Sequence, residues 1–344
     1  MKKTIAFASL LFYLVVFSLM IVDSRAEERL GTTSSELTEE IRRSIDAGLD
    51  FLASRVQPDG SMASNYSAVA VSALAGTAFL CNGSAPGRGK YGAEVEKIKN
   101  YILSCVHSTS GYISSQTSGG NMYSHGFATM FLAEVLGMTP DPKVEESLRK
   151  AVRLIEYSQG VLGGWRYDPR PSESDISVTI CQVMALRAAR NAGIPVDPNV
   201  IDKALECVRS CANPDGGFNY IAGMKGGSAF PRSAAGVCIL YYLGEYDAPE
   251  VLAGLKYLSE FVPGTESSRM GASHIYYGYY YGTQAMFQAG GDYWNRWYPA
   301  VARWLMRQQM KDGSFPYSMG SDYATAMASI ILQVPYRYLP ILQR

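Results

Sequence analysis

The sequence has no excess of either charge: its 31 Lys and Arg side chains are offset by 31 Asp and Glu. A chain without net charge lacks the general basic field that displaces counterions from nucleic acid or from an anionic membrane, so no nucleic-acid partner is expected. Histidine is scarce, at three residues, and there are six cysteines in 344 residues. That is too few for a fold built on disulfides, and the chain must stand on an apolar core. Cys207 and Cys211 lie four apart in a helical pattern, but no His or Cys pair stands near them at ligand spacing, so they read as small buried residues and no metal is expected. Gly-x-Ser-x-Gly, a P-loop and His-Glu-x-x-His are all absent, and no cofactor is implied. After residue 22 no stretch is long and apolar enough to cross a bilayer.

Lys2 and Lys3 precede an apolar run from Thr4 to Val22, and Ser24-Arg25-Ala26 places small residues where a signal peptidase reads. Residues 1–26 are expected to be a signal peptide, with an exported chain starting near Glu27. An uncleaved amino-terminal anchor is the alternative, because the run is about the length that spans a bilayer. Residues 27–344 read as one domain.

What fills that domain is a repeat. A Gly-centred turn followed by an apolar, small-residue helix returns roughly every fifty residues. The six copies are QPDGSM at 57, SGYISS at 110, GGWRYD at 163, PDGGFN at 214, RMGASH at 269 and KDGSFP at 311. Gly60, Gly111, Gly164, Gly217, Gly271 and Gly313 serve as markers. Before each turn lies an amphipathic segment with a charged face, such as VEESLRKAVRLIEYSQ at 144. After it comes a nearly uncharged one, such as SVTICQVMALRAA at 177. The first pattern fits a helix with one side in water and the second a helix buried all round. Six buried helices inside six exposed ones predict an all-α, (α/α)6 toroid built from six helical hairpins. An open solenoid would need polar caps at both ends, and no terminal unit is strongly polar.

The DGS and GGW/GGF turns, with an Ala/Val-Thr pair in the following helix, resemble the repeats of squalene and terpene cyclases and of protein prenyltransferase β subunits. The resemblance covers about residues 45 to 335. Its flavour, in YYGTQAMFQAGGDYW at 280 and DISVTICQVMALRAARNAG at 175, is similar to exported repeat proteins of planctomycete-type bacteria. It implies a toroid with a central cavity for an apolar or isoprenoid-like ligand. One such scaffold hosts many chemistries. The cyclases protonate their substrate with an Asp-x-Asp-Asp run, and the matching residues here are Ser172-Glu173-Ser174-Asp175. Ser174 stands where the family has its proton donor, and a hydroxyl is too weak an acid for an alkene. Only Glu173 and Asp175 remain as candidate acids. The prenyltransferases hold zinc through Asp, Cys and His; Cys238 and His274 fall in matching units, but Phe230-Pro231-Arg232-Ser233 offers no acidic ligand.

Aligning the inner helices on the dipeptides Ala68-Val69, Ala128-Thr129, Val178-Thr179, Ala235-Gly236, Gly282-Thr283 and Ala324-Thr325, and counting back four from the second residue, selects Asn65, His125, Asp175, Arg232, Tyr279 and Ser321. Asp322 stands beside the last. These are expected to converge on one rim of the ring. Asp175, Ser321 and Asp322 also suit helix caps. His125, Arg232 and Tyr279 do not, and His125 with Asp175 and Glu173 forms the candidate catalytic set. Trp165, Asn65, Arg232, Tyr279, Ser321 and Asp322 form the candidate ligand-binding set. The aromatic runs HIYYGYYYG at 274 and YWNRWYPAVARW at 293 have two open readings, a cavity wall or packing between helices. The partner expected is a small molecule, an isoprenoid or a glycan. A carbohydrate-active enzyme and a non-catalytic envelope scaffold are the competing functions.

Overall fold

The computed structural model describes residues 38–64, 67–115, 120–269 and 273–343, and the amino-terminal segment lies outside them. Among these residues there are α-helices and isolated bridges but no named strand. The helices are α1 (Glu39–Arg55), α2 (Ala68–Cys81), α3 (Gly92–Ser104), α4 (Met122–Met138), α5 (Pro142–Tyr157), α6 (Ile176–Asn191), α7 (Pro198–Arg209), α8 (Phe230–Leu243), α9 (Pro249–Ser259), a single turn α10 (Glu266–Arg269), α11 (Ile275–Ala289), α12 (Gly291–Gln308) and α13 (Ser321–Gln333). Two short 3-10 turns follow, Val334–Tyr336 and Pro340–Leu342. Among the described residues no helix is long and apolar enough to cross a membrane.

The inner helices are α2, α4, α6, α8, α11 and α13, and each packs on the next around a ring that α13 closes against α2. Ring closure is as specific as any step within it. Ser44 Oγ on α1 donates to Gln309 Oε1 at 2.7 Å, and Gln309 Nε2 returns a bond to the Ser44 carbonyl at 2.9 Å. Arg55 at the end of α1 pairs with Asp322 on α13 at 3.3 Å. The predicted toroid is the fold, and the solenoid alternative is excluded by these contacts between its ends.

Five of the turns between an outer and an inner helix dock on the outer helix of the next pair. Gly60, Gly111, Gly163, Gly216 and Gly313 all have φ between +76° and +89°, a region that residues with a Cβ rarely adopt. A Cβ on Gly60 would overlap the Lys97 carbonyl of α3. The same overlap recurs for Gly111 with Lys150 of α5, Gly163 with Lys203 of α7, Gly216 with Ala253 of α9, and Gly313 with Ala47 of α1. The last of these carries the ring from its sixth pair back to its first. Two of the sequence markers therefore move by one: the turn glycine of the third and fourth units is Gly163 and Gly216. Gly164 is needed for a different reason, since a Cβ there would press on Cys207 Sγ at 2.6 Å and Thr179 Oγ1 at 2.7 Å. Gly271 lies outside the described residues.

Two residues after each of these five glycines, a backbone amide is tied to the inner helix. Met62, Ile113, Trp165, Phe218 and Phe315 donate to Ser72 Oγ, His125 Nδ1, Thr179 Oγ1, Ser233 Oγ and Thr325 Oγ1 at 2.8 to 3.1 Å. Burying these amides without a partner would cost about 1–3 kcal/mol each, so the side chains at these positions are structural. They also reset the alignment of the units. Counting back four from the true anchors gives Ala68, Asn121, Asp175, Ala229 and Ser321. The rim read from dipeptides was thus displaced by about one helical turn in the first, second and fourth units, because Ser and His stand there in place of Thr.

Candidate functional site

The first two turns of the inner helices enclose one cavity of about 770 Å³. Leu74 of α2 and Phe127 of α4 lie furthest along their helices and form its floor; Val71 and Ala70 continue the apolar surface upward. Below that floor buried side chains bridge the inner helices: the Phe131 ring packs on Gly76 of α2, and the Tyr281 hydroxyl meets Cys181 Sγ of α6 at 3.3 Å. Toward the mouth the wall becomes oxygen-rich, with Ser67, Ser124, Ser177 and the phenols of Tyr123, Tyr167, Tyr220 and Tyr277. Arg232 is the cationic side chain on the wall, the His274 imidazole also lines it, and no Asp or Glu among the described residues faces the cavity.

Loops bring the phenols together. The segment after Gly163 lies against the start of α4, with the Met122 amide donating to the Tyr167 carbonyl at 3.0 Å. The segment after Gly216 lies in the same way against α6, through Ile176 to the Tyr220 carbonyl and Ala222 to the Ser174 carbonyl. Tyr167 and Tyr220 are both four residues beyond their turn glycine, so the repeat sets them at equivalent points over neighbouring helix starts. Their hydroxyls meet at 2.7 Å. The rings of Tyr123 and Tyr167 are 6.0 Å apart.

Asp175 sits directly behind this wall. It caps α6, its Oδ1 accepting from the Val178 amide and from Ser177 Oγ, both at 2.8 Å. Tyr123 and Ser177 oxygens are 2.5 Å apart, and the Tyr277 hydroxyl donates to the Ser177 carbonyl at 2.9 Å. Tyr220 donates to Asp175 Oδ2 at a long 3.4 Å, and Arg166 Nε stands 3.8 Å from the same oxygen. Burial pushes the Asp175 carboxyl above the usual carboxylate range, while the Val178 and Ser177 bonds and the Arg166 charge oppose that rise.

The other sequence candidates are dispersed. His125 is wholly buried one turn below the rim, with Nδ1 accepting from Ile113 and Nε2 facing the Ala151 carbonyl at 3.2 Å. Burial holds its pKa down at about 4, so it is neutral and occupied on both nitrogens. It does not reach the cavity, and its role is to anchor a turn. Glu173 pairs with Arg166 away from the cavity wall. Ser174, at the family's proton-donor position, is buried and accepts from the Gly164 amide at 3.2 Å. Trp165 is fully buried and donates to the Ile155 carbonyl at 2.8 Å. Tyr279 packs within 5.0 to 5.8 Å of the rings of Phe230, Trp297 and Trp304, in the core. Ser321 and Asp322 begin α13, where Asp322 answers Arg55 instead of facing the cavity. Asn65 lies outside the described residues. Of the described members of the two sets, Arg232 alone lines the cavity, its guanidinium held by the Phe218 and Gly227 carbonyls. Sequence reasoning missed Tyr123, Tyr167, Ser177 and Tyr220. The signal that could have found them is their place in the repeat, at helix starts and four past each turn glycine.

The profile of the prenyltransferase α-α toroid domain matches residues 90–316, more than half of the chain. The chain belongs to this family. Among solved structures it is similar to the type II terpene cyclase MstE from Scytonema, at 14% identity and a TM-score of 0.63 over 88% of this chain and 100% of that one. It is also similar to the α-1,6-mannanase of a Salegentibacter species, solved with α-1,6-mannotriose, at 10% identity and a TM-score of 0.63 over 85% and 97% of the two chains. A D-mannose isomerase matches at 11% identity and a TM-score of 0.63 over 88% and 99%. At these identities the likeness is one of fold. Comparison with curated proteins by sequence returned no match.

Proposed function

We propose that this chain is an exported toroid whose cavity binds an amphiphilic, isoprenoid-like small molecule and that it does not start cyclisation by protonating an alkene. The observation that carries this reading is the gradient within the cavity, from an apolar floor at Leu74 and Phe127 to a mouth of hydroxyls and Arg232. A ligand with an apolar tail and an oxygenated end matches both surfaces at once. Alkene protonation needs a carboxylic acid against the substrate, and no carboxyl group lines the described wall. The family membership supports the isoprenoid class, and the apolar run at residues 4–22 supports export.

Incubating the purified protein with squalene, farnesol and geranylgeraniol, followed by extraction and mass spectrometry, tests the reading. The expected result is an isoprenoid retained with its carbon skeleton uncyclised. Retention of a glycan from a parallel panel, with no isoprenoid bound, would assign the cavity to carbohydrate instead. Amino-terminal sequencing of protein secreted by a bacterial host tests export, with cleavage after Ala26 expected.

A further inference from the structure

The hydroxyl groups behind the cavity wall form two chains that end on the same carboxyl group. Ser177 has one hydroxyl proton and gives it to Asp175 Oδ1, so in the 2.5 Å contact with Tyr123 the phenol must be the donor. Tyr220 likewise spends its proton on Asp175 Oδ2, so Tyr167 donates in the phenol pair. With Asp175 ionised both chains therefore point inward, and both terminal phenols offer only lone pairs to the cavity. Adding one proton to Oδ1 reverses the first chain. Tyr123 then becomes a donor toward the cavity while Tyr167 stays an acceptor, and the rings of this donor and acceptor are 6.0 Å apart.

We infer that the cavity catalyses a 1,3-proton transfer on a carbonyl-bearing ligand, with Tyr123 and Tyr167 as the groups that touch it and Asp175, through Ser177 and Tyr220, as the proton exchanger between them. This rests on the cavity being a small-molecule site of the kind proposed above, and it names the oxygenated end as a ketone or aldehyde. Tyr123 gives its proton to the carbonyl oxygen, and Tyr167 receives the proton from the adjacent carbon. The C–H pair becomes the new C=C bond, and the C=O π pair becomes the O–H bond. Each chain shifts its protons by one place, so Asp175 loses a proton at Oδ1 and gains one at Oδ2. The protein ends neutral overall and needs no oxidant, metal or co-substrate, and the reverse reaction resets it. Tyrosine is a poor acid for an alkene but suits an oxygen that develops charge. Burial raises the Asp175 carboxyl, a shift in the direction that favours the protonated form.

Geranylacetone, an enolisable ketone with an isoprenoid tail, serves as the probe in deuterated buffer. Deuterium entry next to the carbonyl is followed by mass spectrometry, and retention by equilibrium dialysis. Wild-type protein is expected to exchange the ketone well above the buffer rate. Ser177→Ala is expected to lower kcat by about a hundredfold with KM unchanged. Ser177→Thr restores the hydroxyl and the rate, which a purely structural role of this residue would not predict. Tyr220→Phe cuts the second chain and is expected to slow exchange as well. If the ketone is retained but exchanges at the buffer rate, the relay is overturned and the binding reading stands. Full activity in Ser177→Ala and Tyr220→Phe would also overturn the relay. Failure to retain the ketone overturns both.

Discussion

His125 and Glu134 are ionisable side chains on the same helix, both removed from water, and neither serves the cavity. His125 replaces the Ser or Thr that anchors a turn in four other units. Replacing it with alanine strands the Ile113 amide and the Ala151 carbonyl and leaves a void. A loss of about 3 kcal/mol in unfolding free energy, measured by denaturant titration, is expected with ligand retention unchanged. Glu134 is held by burial at a pKa of about 8, from an unperturbed value of 4.5, with the Ile341 amide partly opposing the rise. Ionising it costs more in the folded chain than in the unfolded one. Its contribution to stability is therefore complete below pH 4.5 and is lost as the pH climbs to about 8. Comparing wild type with Glu134→Gln at pH 5 and pH 9 should show a difference in pH sensitivity on the order of 3 kcal/mol. Equal sensitivity in the two proteins would mean Glu134 is not the titrating group. All six cysteines are free, with Cys105 the least buried.

At the scale of the helix pair, the sequence was legible wherever a residue type is forced by backbone geometry. Positive φ and a close carbonyl admit glycine alone at Gly60, Gly111 and Gly313, so the repeat was readable before its structure was known. The amphipathic contrast between outer and inner helices was readable for the same reason, as burial on one side or all sides leaves a periodic trace. The site was less legible, because the anchor position tolerates Ser, Thr or His: each presents one acceptor to a turn amide. Aligning on the dipeptide shifted the rim and brought His125 into a catalytic set to which it does not belong geometrically. The hydroxyl network was hidden for a further reason: Tyr167 and Tyr220 reach Asp175 and Tyr123 only through loops folded over a neighbouring helix, which no local spacing encodes. The turn reading gives a direct expectation. Gly313→Ala should lower stability by at least about 2 kcal/mol in a denaturant titration, since it combines a strained φ with overlap on the Ala47 carbonyl. An effect within error of zero would show that the sixth turn does not lock onto α1.

For the whole molecule, closure distributes stability around the ring. In an open stack, removing a terminal pair deprives only its neighbour of contacts. Here a chain ending at Gly290 would lack α12 and α13, and so strip the inner faces of both α2 and α11 and the Gln309 bond to Ser44. Loss of cooperative thermal unfolding and of near-ultraviolet circular dichroism is expected for this truncation. A sharp transition from the remaining helices would show that the ring behaves as a stack. Fold-level expectations succeeded at this scale because closure is a property of the pattern of units, whereas the chemistry depends on a few side chains.

The bridged lower half of the ring has a consequence for what the molecule can handle. Among the described residues, a cavity with a floor of Leu74 and Phe127 over buried Phe131 and Tyr281 is a blind sac, entered and left at the same end. Nothing can be threaded through it. For the amphiphilic ligand proposed above, a long molecule would present only its apolar terminus, and the oxygenated end would stay at the lip. Selection by length among such ligands would therefore be weak beyond the depth of the sac, and release would run the entry path backwards, with the oxygenated end leaving first.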